Sequence, residues 1–161
     1  MSIGGNDFCD LNFNLAQFSN YFFEMLTSLS EHFDGKVLIV PPPNIPSLFR
    51  QVPDDETALK ISGLFGNQAF SCRQVRGGEL FGAAFCPRIS NSPKVDLRII
   101  EQEYLGMVKA MEAMAAKFES VGIAADITNL VISSKDVASD CFHPSEEGHR
   151  KIANISRAFS K

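Results

Sequence analysis

The run Asp140-Cys141-Phe142-His143-Pro144-Ser145, near the carboxyl end of the chain, holds residue types that suit acid–base chemistry. An aspartate three residues before a histidine can turn back and accept a hydrogen bond from Nδ1 of the imidazole, which fixes the tautomer and stabilises the imidazolium. Nε2 then remains free to take a proton. The spacing predicts His143 as a general base and Asp140 as the acid that orients it. The alternative is a helix capped by Ser145 with an incidental histidine beside it.

A second candidate motif, Ile3-Gly4-Gly5-Asn6-Asp7, lies at the other end of the chain. Two adjacent glycines permit backbone conformations that are closed to other residues, so Gly4 and Gly5 can form a tight site loop. The side-chain amide of Asn6 could donate to an oxyanion that develops during acyl transfer, an interaction whose removal typically costs about 2.7–4 kcal/mol. Asp7 is expected to hold the loop rather than to react. The alternative is an ordinary glycine–asparagine turn.

The elements that must position these two motifs alternate between helices and short strands. Apolar residues recur at helical spacing in three segments, and two short apolar runs are typical of buried strands. We predict helices at about 13–33, 95–121 and 146–159, and strands at 36–40 and 123–127. Residues 44–94 are interpreted as an elaborated loop with one short helix at 56–65. This order is half of a doubly wound α/β domain, in which the His143 loop follows the last strand and lies on the ligand-binding rim.

Composition indicates one globular domain of 161 residues. Apolar residues make up 45% of the chain and charged residues 21%, which is not the balance of a disordered protein. The net charge is −4 and basic residues are not clustered, so we expect no nucleic-acid partner. The apolar runs are too short to span a membrane, and residues 1–8 lack the features of a signal peptide.

The chain contains four cysteines, none of which belongs to a C-x-x-C pair: Cys9, Cys72, Cys86 and Cys141. This spacing argues against a metal knuckle. Two disulfides in an oxidising compartment are one interpretation, with Cys72–Cys86 closing a loop and Cys9–Cys141 tying the two motif loops together. Four buried free thiols are the other.

The two motifs together, Gly4-x-Asn6-Asp7 followed by Asp140-x-x-His143-Pro144, resemble the third and fifth sequence blocks of the SGNH, or GDSL-type, hydrolase family. The run from Asp140 to Ser145 and the start Ile3–Cys9 are most similar to the phospholipase B-like branch of that family. The resemblance covers the chain from end to end, and it is specific at the two ends.

The resemblance implies an esterase or lipase on a flavodoxin-like α/β/α three-layer parallel sheet, with neither a metal nor an organic cofactor. It implies His143 as general base, Asp140 as its orienting acid and Asn6 as an oxyanion donor. A metal site formed by Asp140, His143 and His149 is an alternative, but it lacks a further evident ligand.

The resemblance also predicts a nucleophile that the sequence does not contain. In this family the serine stands in a Gly-Asp-Ser-type block before the Gly-x-Asn-Asp block, and no Gly-Asp-Ser occurs in the chain. Ser2 is poorly placed for that role, and the serines before Asp140 are interpreted as solvated: Ser133, Ser134 and Ser139. We therefore expect residues 1–161 to be the carboxyl-terminal part of such a domain, with the first strands missing and no activity of its own. A non-catalytic remnant or interaction fragment is the alternative.

The expected partners are an ester or lipid substrate of the parent enzyme, a membrane surface in transient contact, and a missing amino-terminal segment or second chain. Because cysteines in disulfides belong to an oxidising compartment, we expect the parent enzyme to be secreted or extracytoplasmic.

Overall fold

The computed structural model describes residues 3–52, 57–63, 66–79, 82, 84–90 and 96–158. Its elements, in chain order, are α1 Gly5–Cys9, α2 Leu15–His32, β1 Val37–Ile39, α3 Ile45–Gln51, β2 Thr57–Gly63, β3 Gly66–Ser71, α4 Cys72–Arg76, α5 Pro87–Ser90, α6 Leu97–Ala115, β4 Val121–Ile123 and α7 Glu146–Ala158. Two 3₁₀ turns, Ala125–Asn129 and Ser134–Asp136, connect β4 to α7. Helices dominate this α/β fold.

Strands β1 and β4 form a small parallel sheet, in register from Val37 opposite Val121 to Ile39 opposite Ile123. The predicted α/β class with parallel strands is confirmed. The second strand was predicted at 123–127, and that range is wrong: α6 ends at Ala115, β4 is Val121–Ile123, and Ala125–Asn129 is a 3₁₀ turn. Phe118 continues the apolar spacing of the helix, but it lies beyond the end of α6, where its own N–H donates to the carbonyl of Ala115. From this turn the Phe118 side chain packs against the core.

The core lies between the two long helices and the parallel strands. Helix α2 begins at Asn14, whose side chain accepts from the N–H of Gln17, and it buries Phe18, Phe22 and Leu26. Helix α6 buries a facing stripe: Tyr104, Met107, Val108 and Met111. Burying each large side chain is worth about 1.5–3 kcal/mol, so this contact is a main stabiliser of the frame. Within the described ranges, no helix is both long and apolar enough to cross a membrane.

The middle of the chain contains more regular structure than the sequence predicted. The helix predicted at 56–65 is wrong, because Thr57–Gly63 is a strand that pairs in antiparallel register with Gly66–Ser71. Ala58, Leu59 and Lys60 favour a helix individually, but β-branched residues on either side and glycines at the strand ends favour a hairpin. This hairpin is separate from the parallel sheet.

Candidate functional site

The loop that carries His143 is closed by its own backbone and by Asp140. The N–H of Ala138 donates to the carbonyl of His143 at 2.8 Å. Oδ1 of Asp140 accepts from the N–H groups of Phe142 at 3.0 Å and of His143 at 2.9 Å. An aspartate whose side chain accepts hydrogen bonds from the backbone N–H groups two and three residues later closes a tight turn. That turn brings the second carboxylate oxygen to the imidazole.

The structure places Nδ1 of His143 2.6 Å from Oδ2 of Asp140. Burial raises the pKa of Asp140, but hydrogen bonds from the His143 ring and from two backbone N–H groups outweigh it, and the pKa lies below its usual value. Asp140 is therefore a carboxylate at neutral pH, and Nδ1 must be the donor in this contact. The side chain of His143 is 58% exposed, which leaves Nε2 as the nitrogen for proton transfer.

An ion pair between a buried aspartate and a half-exposed lysine beneath this loop was missed by the sequence reasoning. Asp136 is only 3% exposed, and its Oδ2 accepts from Nζ of Lys151 at 2.7 Å and from the N–H and hydroxyl of Ser133 at 2.8 Å. Burial raises the pKa of Asp136, but the hydrogen bonds from Lys151 and Ser133 outweigh burial and lower it. The signal was the spacing Ser133-x-x-Asp136, which is that of a capping box.

Helix α7 begins against the same aspartate. The N–H of Ser145 donates to the carbonyl of Asp136 at 2.8 Å, and the Ser145 hydroxyl accepts from the N–H of Gly148 at 3.2 Å. The predicted cap at Ser145 is confirmed. A Cβ on Gly148 would lie 2.1 Å from the carbonyl oxygen of Asp136, so only glycine lets the helix approach the loop this closely.

The Gly4–Asp7 motif forms a left-handed turn and the first turn of α1. Gly4 has φ +98°, a conformation that favours glycine, and its carbonyl accepts from the N–H of Phe8 at 2.9 Å. Gly5 and Asn6 then begin the short helix, with the Asn6 side chain exposed. Asp7 is also exposed, and its backbone carbonyl accepts from the N–H of Asp10 at 3.2 Å.

Asn6 and His143 line the same cavity, whose volume is about 580 Å³. Most of its lining is apolar: Pro42, Pro43, Ile45, Leu48, Phe85, Leu130, Ile132, Phe142 and Ile152. The structure therefore brings the two distant motifs to one apolar cavity with few polar groups, which is the usual character of a small-molecule site.

Helix α6 holds one wall of this cavity in place. The hydroxyl of Tyr104 donates to the carbonyl of Pro42 at 2.5 Å, and burial raises the pKa of this tyrosine. Glu101, one turn earlier, accepts from the Asn44 side chain at 2.8 Å and from Arg50 at 2.6 Å. The polar contacts of α6 thus fix the segment that follows β1, a role that helical periodicity does not reveal.

None of the described residues that line the cavity is a serine. Ser2 lies outside the described residues. Ser133 is exposed, and its hydroxyl donates to Asp136. Ser134 and Ser139 are exposed, as the sequence predicted.

All four cysteines form disulfides, but the predicted pairing is wrong. The structure joins Cys9 to Cys86 and Cys72 to Cys141, whereas we had predicted Cys72–Cys86 and Cys9–Cys141. The physical reason is that the fold brings Cys72 to the His143 turn and Cys86 to the end of α1, so each loop is bonded to a different one of these two cysteines. Cys9 follows the Asn6 turn, and Cys141 lies inside the His143 turn.

The histidines do not assemble a metal site in the described part of the chain. His149 is exposed in the first turns of α7, where its N–H donates to the carbonyl of Ser145. Across the described ranges, no three or more histidine, cysteine, aspartate or glutamate side chains are grouped so that they could hold a metal ion. The alternative of Asp140, His143 and His149 as ligands therefore lacks support.

Fold and site together define an α/β protein in which an aspartate–histidine pair faces an apolar cavity. The model of the GDSL-like lipase/acylhydrolase family matches residues 1–155. The chain belongs to this family of ester hydrolases, which confirms the resemblance seen in the two motifs. Neither the curated proteins nor the solved structures contained a match to the chain.

Proposed function

We propose that this chain carries the base and the oxyanion donor of a serine-type carboxylic ester hydrolase. His143 is the general base, Asp140 orients it, and Asn6 donates to the oxyanion, with Gly4, Gly5 and Asp7 shaping the loop of Asn6. One observation carries the proposal: Asn6 and His143, which stand at opposite ends of the chain, line one cavity while Asp140 holds Nδ1 of the imidazole.

The proton movements follow from this arrangement. Nε2 of His143 takes the proton of a serine hydroxyl as the serine oxygen attacks the ester carbonyl, and the Asp140 carboxylate stabilises the imidazolium. The amide of Asn6 donates to the oxyanion of the tetrahedral intermediate. The imidazolium then protonates the leaving alcohol as its C–O bond breaks. A water molecule, deprotonated by the same base, releases the acid from the acyl-serine.

The cavity supports an ester with an apolar acyl group as the substrate. Its lining places aliphatic and aromatic side chains around a few polar residues: Asn6, Asp10, Asp136 and His143. Burial of apolar surface gives about 25 cal/mol per Å², which favours a lipid or another carboxylic ester over a polar one. We propose transient contact with a membrane surface for such a substrate. The resemblance of the run Asp140–Ser145 to the phospholipase B-like branch supports an enzyme of that branch.

The nucleophile is proposed to come from outside the described cavity lining, which contains no serine. We infer that the chain alone forms no acyl-enzyme. The parallel pair β1–β4 has no further strand partner among the described residues. We propose that a larger flavodoxin-like sheet is completed by polypeptide outside the described residues, a second chain included. Because all four cysteines are in disulfides, a secreted or extracytoplasmic location is proposed.

The second candidate is a non-catalytic fragment that binds an acyl ligand in the cavity without turning it over. The lack of a serine in the described lining favours it. The two candidates differ in whether Asn6 and His143 take part in cleavage of an ester or only contact a bound ligand.

A product analogue tests whether the cavity and its two polar groups form one site. Octanoate, a carboxylate on an apolar tail, is titrated into ¹⁵N-labelled protein, and we expect the signals of Asn6 and His143 to move together. Asn6→Ala should weaken binding, whereas the matched control Asn20→Ala should not, because Asn20 is exposed on α2 and does not line the cavity. Equal binding by both variants, or unmoved signals, would contradict the site.

A covalent probe tests the nucleophile. We expect a fluorophosphonate to leave the 161-residue chain unlabelled, and p-nitrophenyl ester hydrolysis to stay at the level of His143→Ala. Stoichiometric labelling of any serine of this chain would overturn the inference that the nucleophile lies elsewhere. Labelling that appears only when a second polypeptide is added would favour the hydrolase over the binding fragment.

A further inference from the structure

Both motif loops are fastened to the same short segment, residues 72–86. Cys72 at its start is bonded to Cys141 in the His143 turn, and Cys86 at its end is bonded to Cys9 at the end of α1. No covalent bond joins the two motif loops directly. This segment therefore links the two halves of the site covalently, through one disulfide at each end.

Within this segment, Phe85 contacts the imidazole of the proposed base. Its ring stacks on Phe142 with centroids 5.4 Å apart and an interplanar angle of 6°. The centroid of the Phe85 ring lies 5.4 Å from that of the His143 ring, with an interplanar angle of 84°. The Phe142 and His143 ring centroids are 5.2 Å apart, with an interplanar angle of 87°. Two parallel aromatic rings thus meet the imidazole at nearly right angles, a favourable geometry for aromatic pairs.

The backbone of Phe85 is held independently of His143. Its N–H donates to the carbonyl of Arg76 at 2.8 Å, and its carbonyl accepts from the hydroxyl of Ser90. The adjacent Cys86 is bonded to Cys9. The backbone of Phe85 is therefore fixed by two hydrogen bonds and an adjacent disulfide. A residue that positions a neighbouring side chain needs such support of its own.

Of the two aromatic neighbours of the imidazole, Phe142 lies in the same turn as His143, whereas Phe85 comes from outside that turn. The side chain of His143 is 58% exposed, and Nδ1 of its ring donates a hydrogen bond to Asp140. A single hydrogen bond fixes a distance but leaves the ring free to tilt about it. Contact with an aromatic ring defines the tilt, and with it the direction of Nε2.

We propose that Phe85 is a positioning residue for His143, which sets the plane of the imidazole from the doubly anchored segment 72–86. The significance of this role rests on the proposed function, because it concerns the direction in which the base points. Its test is independent of esterase activity and of any ligand, so the two proposals fail separately.

The experiment measures the Nδ1–H resonance of His143 in ¹⁵N-labelled protein. A hydrogen bond to the Asp140 carboxylate shifts this proton downfield and protects it from exchange, so its loss reports a misplaced ring. In Phe85→Leu the resonance should broaden away. In Phe85→Tyr, which keeps the ring, it should remain. The matched control is Phe49→Leu, because Phe49 is also half-buried and contacts the same Phe142 ring at 6.3 Å.

Retention of the resonance in Phe85→Leu would overturn the proposal. Equal loss of the resonance in Phe49→Leu would also overturn it, because general loosening of the aromatic cluster would then explain the loss without a specific role for Phe85. If Phe85→Leu does not fold, the proposal is tested on the wild-type protein and Phe85→Tyr. Nuclear Overhauser contacts between the His143 carbon-bound ring protons and the Phe85 ring, retained together with the Nδ1–H signal in Phe85→Tyr, would support the role. The absence of these contacts would refute it.

Discussion

Removing either disulfide should cost nearly the same stability but disturb different halves of the site. The bonded cysteines are 77 residues apart in Cys9–Cys86 and 69 apart in Cys72–Cys141. Loop-closure entropy then gives about 4.5 and about 4.4 kcal/mol at 25 °C. All four cysteines are buried, and each pair contains one left-handed residue, Cys86 at φ 52° or Cys141 at φ 59°. Replacement by alanine, which keeps the Cβ, is therefore matched in burial and in the left-handed residue that each pair retains.

The assay compares Cys9→Ala/Cys86→Ala with Cys72→Ala/Cys141→Ala in urea without reductant. Both should lose about 4 kcal/mol of unfolding free energy, a large share of the typical 5–15 kcal/mol. The local readout is the pKa of Asp140, measured by carboxyl ¹³C NMR. It should rise towards its usual value only in the Cys72/Cys141 variant, because Cys141 lies in the turn whose N–H groups lower that pKa.

Two results would refute this reasoning. If the two double variants differ by more than about 2 kcal/mol, loop entropy is not the main contribution of these bonds. If the Cys9/Cys86 variant raises the pKa of Asp140 as much as the Cys72/Cys141 variant, the two halves of the site are not held separately.

Three further substitutions test the supports of the site. Asp140→Ala should lower the unfolding free energy at neutral pH by about 2 kcal/mol, because three hydrogen bonds are lost. The folded-state pKa of Asp140 is depressed, so this contribution is present above the unfolded pKa of about 3.9 and is lost as pH falls through the folded pKa. In urea unfolding curves from about pH 6 to about pH 2.5, the difference in unfolding free energy between wild type and variant should therefore decrease. Gly148→Ala should cost more than about 2 kcal/mol in thermal unfolding because its Cβ would meet the Asp136 carbonyl, whereas the control Gly106→Ala in α6 should be neutral or stabilising. Tyr104→Phe should cost about 1–2 kcal/mol in urea unfolding, since a buried carbonyl of the cavity wall loses its donor, and an unchanged midpoint would argue against that bond.

The parts of the site that the sequence could predict are those encoded locally. Asp140 reaches His143 through a turn of three residues, so the residue types themselves specify the contact. The α2 and α6 helices were predictable for a similar reason, because their apolar spacing repeats over about five turns. The hairpin β2–β3 was mistaken for a helix because Thr57–Gly63 is too short for either period to dominate.

The disulfide pairing could not be predicted, because four cysteines allow three connectivities and nothing local distinguishes them. The choice depends on where residues 72–86 lie relative to both motif loops, and that is a property of the tertiary fold. Phe85 was missed for the same reason, since its contacts with Phe142 and His143 join residues far apart in sequence. Asp136 was a different case, because its capping-box spacing with Ser133 was visible and was not used.

The crossed pairing separates what identifies the family from what sets the geometry of the site. Asn6 and His143 belong to the motifs that resemble a GDSL-type hydrolase, yet each motif run is anchored by a disulfide to a cysteine outside both runs, Cys86 or Cys72. Since Cys72 and Cys86 anchor the two loops to opposite ends of one segment, we expect a change in the number of residues between them to alter the spacing of Asn6 and His143 with both motifs intact. Such a change should disrupt the cavity that the two motifs share while every motif residue of this chain is kept.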